Sequence, residues 1–317
     1  MSQGIAQVSF LFPGQGSQSI GMGKQLSETH RIAKDTFQEA DQLLGFSLSK
    51  IAWEGPQDQL DDTINTQPAL FVHSIATLRV VQENYPDFQP VFVAGHSMGE
   101  LSALVSAGSM DFTDGLQLVR RRGELMKQAG DKSPGGMAAI LGLRIDELEK
   151  ICATSSNETE IVQIANDNCP GQVVISGASP ALERAMNAAR EAGARRAVRL
   201  AVSIAAHSPL MAHAQDSFNQ AVDAVPFSDP EIPIIGNVIA KPLNLVEDVR
   251  QDLRAQLNSR VRWTESIQYM ISNGIMNFIE IGNNSVLSGL LKRIDRQSRG
   301  ISLGNPEDFE KLPAFFN

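Results

Sequence analysis

The sequence predicts an α/β protein: a large domain built on a parallel sheet, with a small domain inserted into it. Three observations predict this. Short, wholly apolar runs alternate with helical segments, the pattern of parallel strands covered on both faces. From about residue 131 the order of elements changes to βαββαβ, the ferredoxin-like arrangement. The length, 317 residues, suits one large domain, or one large and one small, better than three. The expected boundaries are 1–130 and 203–317 for the large domain and 131–202 for the small one.

Residues 7–12 (QVSFLF) are a short apolar strand ended by Pro13-Gly14, and a polar, Gly-rich loop follows to Gly23. Residues 31–44 and 67–82 read as helices. The second has Pro68 in its first turn and is apolar nearly all round, so it belongs in the interior. Residues 91–94 (VFVA) are a second buried strand. Gly95 and a helix with apolar positions at Leu101, Leu104 and Val105 follow, then a helix over 114–128. In the small domain, strands are expected at 137–143, 161–166, 172–176 and 195–202, and helices at 145–153 and at 180–192, which ends at Gly193. The large domain resumes near Ser203 with a strand at 232–236, helices at 246–258 and 264–273, a strand at 277–281 and a helix at 285–294. The tail after Ser298 is Pro- and polar-rich and reads as surface covering. No internal repeat or low-complexity segment interrupts the chain.

Composition narrows the function. The formal net charge is −9, from 27 Lys+Arg and 36 Asp+Glu. A chain of that balance without a basic tract is a poor partner for nucleic-acid phosphates. No run approaches the roughly 18 apolar residues of a membrane helix. The N-terminal stretch lacks the basic region of a secretion signal. Cytoplasm is the default compartment. Two cysteines, Cys152 and Cys169, supply neither a disulfide framework nor a four-ligand metal site.

The strongest local signal is Gly95-His96-Ser97-Met98-Gly99, a G-x-S-x-G pattern with a strand before it and a helix after it. The chain must reverse sharply there, so small flanking residues are needed. The serine hydroxyl then stands at the sheet's C-terminal edge and at a helix N-terminus, where free N–H groups favour developing negative charge. The Met98 N–H can donate to such an oxyanion. This turn makes the large domain α/β-hydrolase-like and Ser97 its nucleophile.

A nucleophilic serine needs a base. Of five histidines, His30 precedes an amphipathic helix and reads as solvated. His73 lies within a buried helix and reads as a core group. His96 neighbours the nucleophile on a turn and should point away from it. His207 and His213 remain. His207 is preferred by position, since the small residues around it (Ser203-Ile204-Ala205-Ala206) leave room for a substrate, whereas His213 lies inside the next helix. Arg122 occupies the middle of an apolar stripe, flanked by Leu118, Val119, Leu125 and Met126, while Arg120 and Arg121 are marginal. A cation there is costly unless paired. An internal acid and a substrate carboxylate are equally good partners at this stage.

These clues meet in one family. Residues Phe12 to Gln18 (FPGQGSQ), Thr66 to Leu70 (TQPAL), Gly95 to Glu100 (GHSMGE), Arg122-Gly123, Pro170 to Gly177 (PGQVVISG), Ser203 to His207, Gln256-Leu257, Trp263-Thr264 and Val286-Leu287 follow one another in the order of the malonyl-CoA:acyl carrier protein transacylases and related polyketide acyltransferase domains. The sequence closely resembles that family over about residues 7–294. The resemblance implies that Ser97 is acylated, that His207 is its base, and that the backbone carbonyl of Gln256, not a third acid, orients the imidazole. It implies an oxyanion hole from the N–H groups of Gln15 and Met98, and a malonyl carboxylate gripped by Arg122. It also implies that Asn166 and Asn168 lie by the pantetheine arm. No metal or cofactor is called for. The partners implied are malonyl-CoA and an acidic acyl carrier protein, with the chain itself a monomer. Two basic clusters could dock the carrier: Lys292, Arg293, Arg296 and Arg299, or Arg195, Arg196 and Arg199. Two departures stand out. Ala205-Ala206 replaces the bulkier pairs of relatives. Gly282-Asn283-Asn284 replaces Gly-Pro-Gly, a turn that Asn can hold because it tolerates left-handed backbone. The rival readings are a polyketide-pathway acyltransferase, a serine thioesterase or esterase sharing Ser97 and His207, and a non-catalytic carrier-docking subunit.

Overall fold

The structure, a computed structural model, describes residues 7–202 and 204–316. Residues 1–6, Ser203 and Asn317 lie outside the described residues, and with them the expected return to the large domain at Ser203. Ten strands are described: β1 (Val8–Phe12), β2 (Phe92–Gly95), β3 (Gly135–Leu141), β4 (Val162–Cys169), β5 (Gln172–Ala178), β6 (Arg196–Arg199), β7 (Ile234–Ile235), β8 (Pro242–Leu243), β9 (Asn277–Ile281) and β10 (Arg299–Leu303). They form two sheets, ordered β10-β9-β1-β2-β7-β8 and β4-β5-β3-β6. In the first, every pair is parallel except β7 with β8. In the second, every pair is antiparallel.

The apolar runs of the first sheet are explained by two buried faces. Val8, Phe10 and Phe12 of β1 enter one core cluster, while Leu11 enters another. The same alternation divides Val93 from Ala94, Ile234 from Ile235, and Ile279 from Phe278. Successive side chains on a strand point to opposite faces, so a strand covered on both sides must be apolar throughout. The second sheet has its own core of Ala138, Ile140, Val173 and Ile175 under Leu148, Leu182 and Met186. Its other face gives Met137, Ala165 and Val174 to the large cluster. β4 is also tied by backbone bonds to Val261, just before the helix Trp263–Ser272: Asp167 N–H donates to the Val261 carbonyl at 2.9 Å and Val261 N–H to that of Ala165 at 2.8 Å.

The structure corrects several expectations. The tail after Ser298 is not mere covering. Residues 299–303 add strand β10 to the sheet edge, paired with β9, and Leu303 and Leu312 are buried. The strands expected at 195–202 and 232–236 are shorter, Arg196–Arg199 and Ile234–Ile235. The helix expected at 67–82 runs Thr63–Asn84, so Pro68 sits inside it. Asp62 caps its start, its carboxylate accepting from Ile64 N–H at 3.2 Å. Proline has no N–H and leaves the carbonyl four residues back, that of Ile64, unpaired. Arg120 Nη1 takes over, donating to that carbonyl at 2.8 Å. His30 is half-buried rather than solvated, its ring 5.7 Å from that of Phe309. Asn284 adopts φ 66°, the left-handed turn expected of it.

Candidate active site

Ser97 sits between β2 and the helix Gly99–Ser106 with φ 52°, in left-handed backbone that costs a side-chain-bearing residue about 1–2 kcal/mol. Two glycines make the turn possible by close approach. A Cβ on Gly95 would lie 2.0 Å from the Gly99 backbone, and one on Gly99 would lie 2.2 Å from the Phe12 carbonyl. The turn is therefore pressed against the end of β1, and the serine is lifted clear of it.

His207 meets it from the far side of the chain. Ser97 Oγ and His207 Nε2 are 2.8 Å apart. His207 Nδ1 is 2.9 Å from the Gln256 carbonyl. A carbonyl only accepts, so Nδ1 carries the hydrogen and Nε2 presents its lone pair to the serine hydroxyl. Burial, with the positive charge of Arg122 as second cause, pulls the imidazole pKa down to about 3, so it is neutral at physiological pH. His207 too has positive φ, 57°. Its carbonyl is held by Gln163 Nε2 at 2.8 Å, which also donates to the Asn258 carbonyl. β4 thus braces the base from the second sheet.

Arg122 is 1 % exposed, in the apolar face of the helix Phe112–Lys132. Its Nη1 donates to Gln67 Oε1 at 2.8 Å. Its Nη2 donates to Ser97 Oγ at 3.1 Å and Gln256 Oε1 at 2.8 Å. Its Nε–H has no partner. The open choice between an internal acid and a ligand is thereby narrowed: among the described residues Arg122 bonds neutral oxygens and no carboxylate. Burial lowers its pKa to about 10, which still leaves it charged.

The other candidates fall as follows. Neither Gln15 nor Met98 spends its backbone N–H on a partner within the described residues. Gln15 lies on the loop after β1, its side chain bonded to Thr63. His96 points away from Ser97, its Nε2 2.8 Å from Asn168 Oδ1 and its ring edge-on to Trp263. Asn168 therefore borders the nucleophile turn. Asn166 is buried on β4, where its backbone bridges to Val261. His213 is exposed on the helix Ala212–Ala224. His73 is a core group as expected, bonded to the Gly304 carbonyl at 2.9 Å and lowered to about 4 by burial. Among the described residues no group of three or more His, Cys, Asp or Glu is placed to hold a metal ion. No helix there is long and apolar enough to cross a membrane.

Sequence reasoning missed Gln67, Gln163, Asn237, Asp252 and the side chain of Gln256. Asn237 Oδ1 accepts from Ser97 N–H at 2.8 Å, and its Nδ2 donates to the Gly95 carbonyl at 2.7 Å. Gln67 and Gln256 lay within quoted motifs that gave their side chains no role, while Gln163, Asn237 and Asp252 carry no local motif, and only folding brings them to the turn. Glu100 was legible as part of the quoted motif, but its partner was not.

Together these groups can accept a proton from a serine hydroxyl, stabilise an oxyanion and hold an anionic group beside the nucleophile. Comparison with known proteins agrees. The acyl transferase domain model matches residues 9–303. A malonyl CoA-acyl carrier protein transacylase of Bacillus subtilis is 44% identical over 306 residues, 96% of each chain. The solved structure of the malonyl CoA-acyl carrier protein transacylase from Coxiella burnetii superposes with a TM-score of 0.95 at 39% identity, covering 99% of each chain. A malonyl-transacylase solved in complex with a type II polyketide acyl-carrier protein gives 0.93 at 38% identity, covering 96% of this chain and 98% of that one. With its nucleophile turn, base and buried cation all inside the matched region, the chain belongs to the acyl transferase domain family.

Proposed function

We propose that this acyltransferase moves the malonyl group from malonyl-CoA to the phosphopantetheine thiol of an acyl carrier protein, by way of a malonyl ester on Ser97. The observation that carries this reading is Arg122: a buried guanidinium, bonded to the nucleophile's oxygen and lacking an anionic partner. Its Nε–H is still without a partner, whereas both hydrogens of Nη2 are given to Ser97 and Gln256, so a carboxylate gripped by two donors on that edge would replace one of those bonds. A thioesterase or esterase acting on neutral acyl groups would gain nothing from that charge.

In the first half-reaction Ser97 Oγ attacks the thioester carbonyl carbon as His207 Nε2 takes its proton. The carbonyl oxygen becomes an oxyanion facing the N–H groups of Gln15 and Met98, each such donor being worth about 2.7–4 kcal/mol. The C–S bond breaks and the departing thiolate takes the proton from His207. In the second half the carrier's thiol gives its proton to His207 and attacks the ester carbonyl; the C–O bond breaks and Ser97 Oγ takes that proton from His207, which restores both groups. Ping-pong kinetics follow. Asn168, bonded to His96 beside the turn, and Asn166 on the same strand would border the pantetheine arm. For the fold, we read the parallel sheet as an α/β-hydrolase-like domain (1–130 and 203–317) and the antiparallel one as a ferredoxin-like domain (131–202). The separate apolar core of the second sheet supports that division.

Intact mass after mixing with malonyl-CoA tests the reading. One malonyl adduct is expected, discharged by the carrier protein and missing in Ser97→Ala. An adduct that persists in Ser97→Ala refutes the nucleophile, and discharge to water as fast as to the carrier refutes a transferase.

A further inference from the structure

Behind the nucleophile turn lie two acids that the reaction itself does not use. Glu100 is 0 % and Asp252 3 % exposed, and both carboxyl groups reach the same backbone donor, the Asn237 N–H, at 3.4 and 3.2 Å. We propose that Glu100 is the neutral, proton-donating member and Asp252 the anionic member of a buried acid pair that fixes the nucleophile turn and Gln256 in their working positions.

The hydrogen-bond directions assign the proton. Arg122 can only donate, so Gln256 must turn its Oε1 to Nη2. Its Nε2 then faces Glu100 Oε2 and donates to it. Oε2 is therefore the better-served acceptor, which favours Oε1 as the seat of a proton on Glu100. That oxygen receives only a long 3.4 Å share of Asn237 N–H, whose shorter bond, 3.2 Å, goes to Asp252 Oδ2. Asp252 takes more: Val238 N–H at 3.2 Å and Ile239 N–H at 3.4 Å both reach Oδ1. The chain wraps Asp252 so closely that a Cβ on Gly236 would come 2.7 Å from Oδ1. Three backbone donors favour the charge on Asp252, and two neighbouring carboxyls in a dry site do not both ionise. Burial, then Asp252, pushes the Glu100 pKa well above the usual carboxylate range, which agrees.

The pair acts through two residues. Asn237, held by its backbone N–H, clips the turn just before Ser97, on both sides of His96, by hydrogen bonds between its side-chain amide and the Ser97 N–H and the Gly95 carbonyl. Gln256, held by Glu100, donates to the Ser97 carbonyl at 3.2 Å, receives Arg122 on its side chain and receives His207 on its backbone. Glu100 and Asp252 are thus positioning residues: nucleophile, base and cation all rest on what the pair holds. The inference rests on Ser97 being the acylated hydroxyl.

Three variants test it: Glu100→Gln, Glu100→Leu and Asp252→Asn. A glutamine can place its carbonyl where Oε2 stands and its NH2 where the Oε1–H stands. It forfeits only the 3.4 Å share, so it should keep Ser97 reactivity within about threefold, the weight of one weak hydrogen bond. Glu100→Leu and Asp252→Asn should each slow Ser97 by about 100-fold, the scale of a displacement near 1 Å. Reactivity is read as the rate of Ser97 labelling by a fluorophosphonate, alongside malonyl transfer, on variants whose thermal melts match within a few degrees. Rescue by Gln but not Leu at equal stability is a result that a purely structural role does not give. Malonyl-CoA KM should rise in Glu100→Leu and not in Glu100→Gln, because Gln256 also steadies Arg122. If Glu100→Gln is as slow as Glu100→Leu, Glu100 is the anion and the assignment fails. If Glu100→Leu labels at the wild-type rate, the pair positions nothing. Should Asp252→Asn not fold, the Glu100 comparison still decides. Wild-type protein that labels but takes no malonyl overturns the proposed substrate and leaves the variant ratios to be read.

Discussion

Replacing Arg122 with alanine should separate malonyl from acetyl as acyl donors. The guanidinium bonds Gln67, Ser97 and Gln256 and no carboxylate, so on the proposed reading the malonyl carboxylate is the anion it takes. Removing one member of a buried charge pair costs about 3–5 kcal/mol, because the other is left buried and uncompensated. A Coulomb estimate at 4 Å and an effective dielectric of 20 gives about 4 kcal/mol, in the same range. At 1.36 kcal/mol per factor of ten, kcat/KM for malonyl-CoA should fall about 100- to several-thousand-fold. The change also opens a void and frees Ser97 from one donor, but those effects act on either donor. Acetyl-CoA is therefore the internal control, and its kcat/KM should move by less than about tenfold, leaving the malonyl-to-acetyl ratio to report the carboxylate alone. The assay is a stopped-flow measurement of Ser97 acylation with each donor. Equal losses for malonyl and acetyl would refute the carboxylate role of Arg122.

Two further outcomes follow from charge. His207 has its pKa lowered to about 3, so its base form is present throughout the neutral range, and acylation by a donor without a carboxylate should keep its rate as pH falls through 6.5. Arg122 and His207 both bond Ser97 Oγ, so they are at most about 6 Å apart, a repulsion of about 3 kcal/mol at an effective dielectric of 20. In Arg122→Met the acid limb should therefore move upward, toward about pH 5, in a profile of 4-nitrophenyl acetate burst rates; an unmoved limb would remove Arg122 as a cause. For docking of an acidic carrier protein the Lys292 cluster is the better placed of the two. Arg199 in the other cluster is bonded to Glu183 and Ser179, and Arg293 in this one to Gln172, but Lys292 lines a cleft of about 800 Å³ with Lys24. Lys292→Glu should raise the carrier-protein KM and leave malonyl-CoA acylation unchanged, and an unaltered KM would eliminate that face.

The sequence by itself determined whatever is local. The turn at Gly95–Gly99 needs two glycines and a serine within five residues, and that requirement is written in adjacent letters. The placement of Arg122 on an apolar stripe follows from helical periodicity, and strands buried on both faces announce themselves as unbroken apolar runs. Strand β10 was not legible because it is an edge strand of mixed burial, with no such run to mark it. The extra turn before Pro68 was not legible because the carbonyl freed by proline is satisfied by Arg120, a partner from another helix.

Tertiary structure decided the rest. It alone brought Asn237 to the Ser97 amide, Asp252 to Glu100 and Gln163 to the His207 carbonyl, pairs far apart in the chain. Single polar side chains of this kind carry no periodicity and no motif. Their meaning arises only when burial strips away water and leaves each donor to find one acceptor, and that partner is chosen by the packing of two sheets rather than by neighbours in sequence.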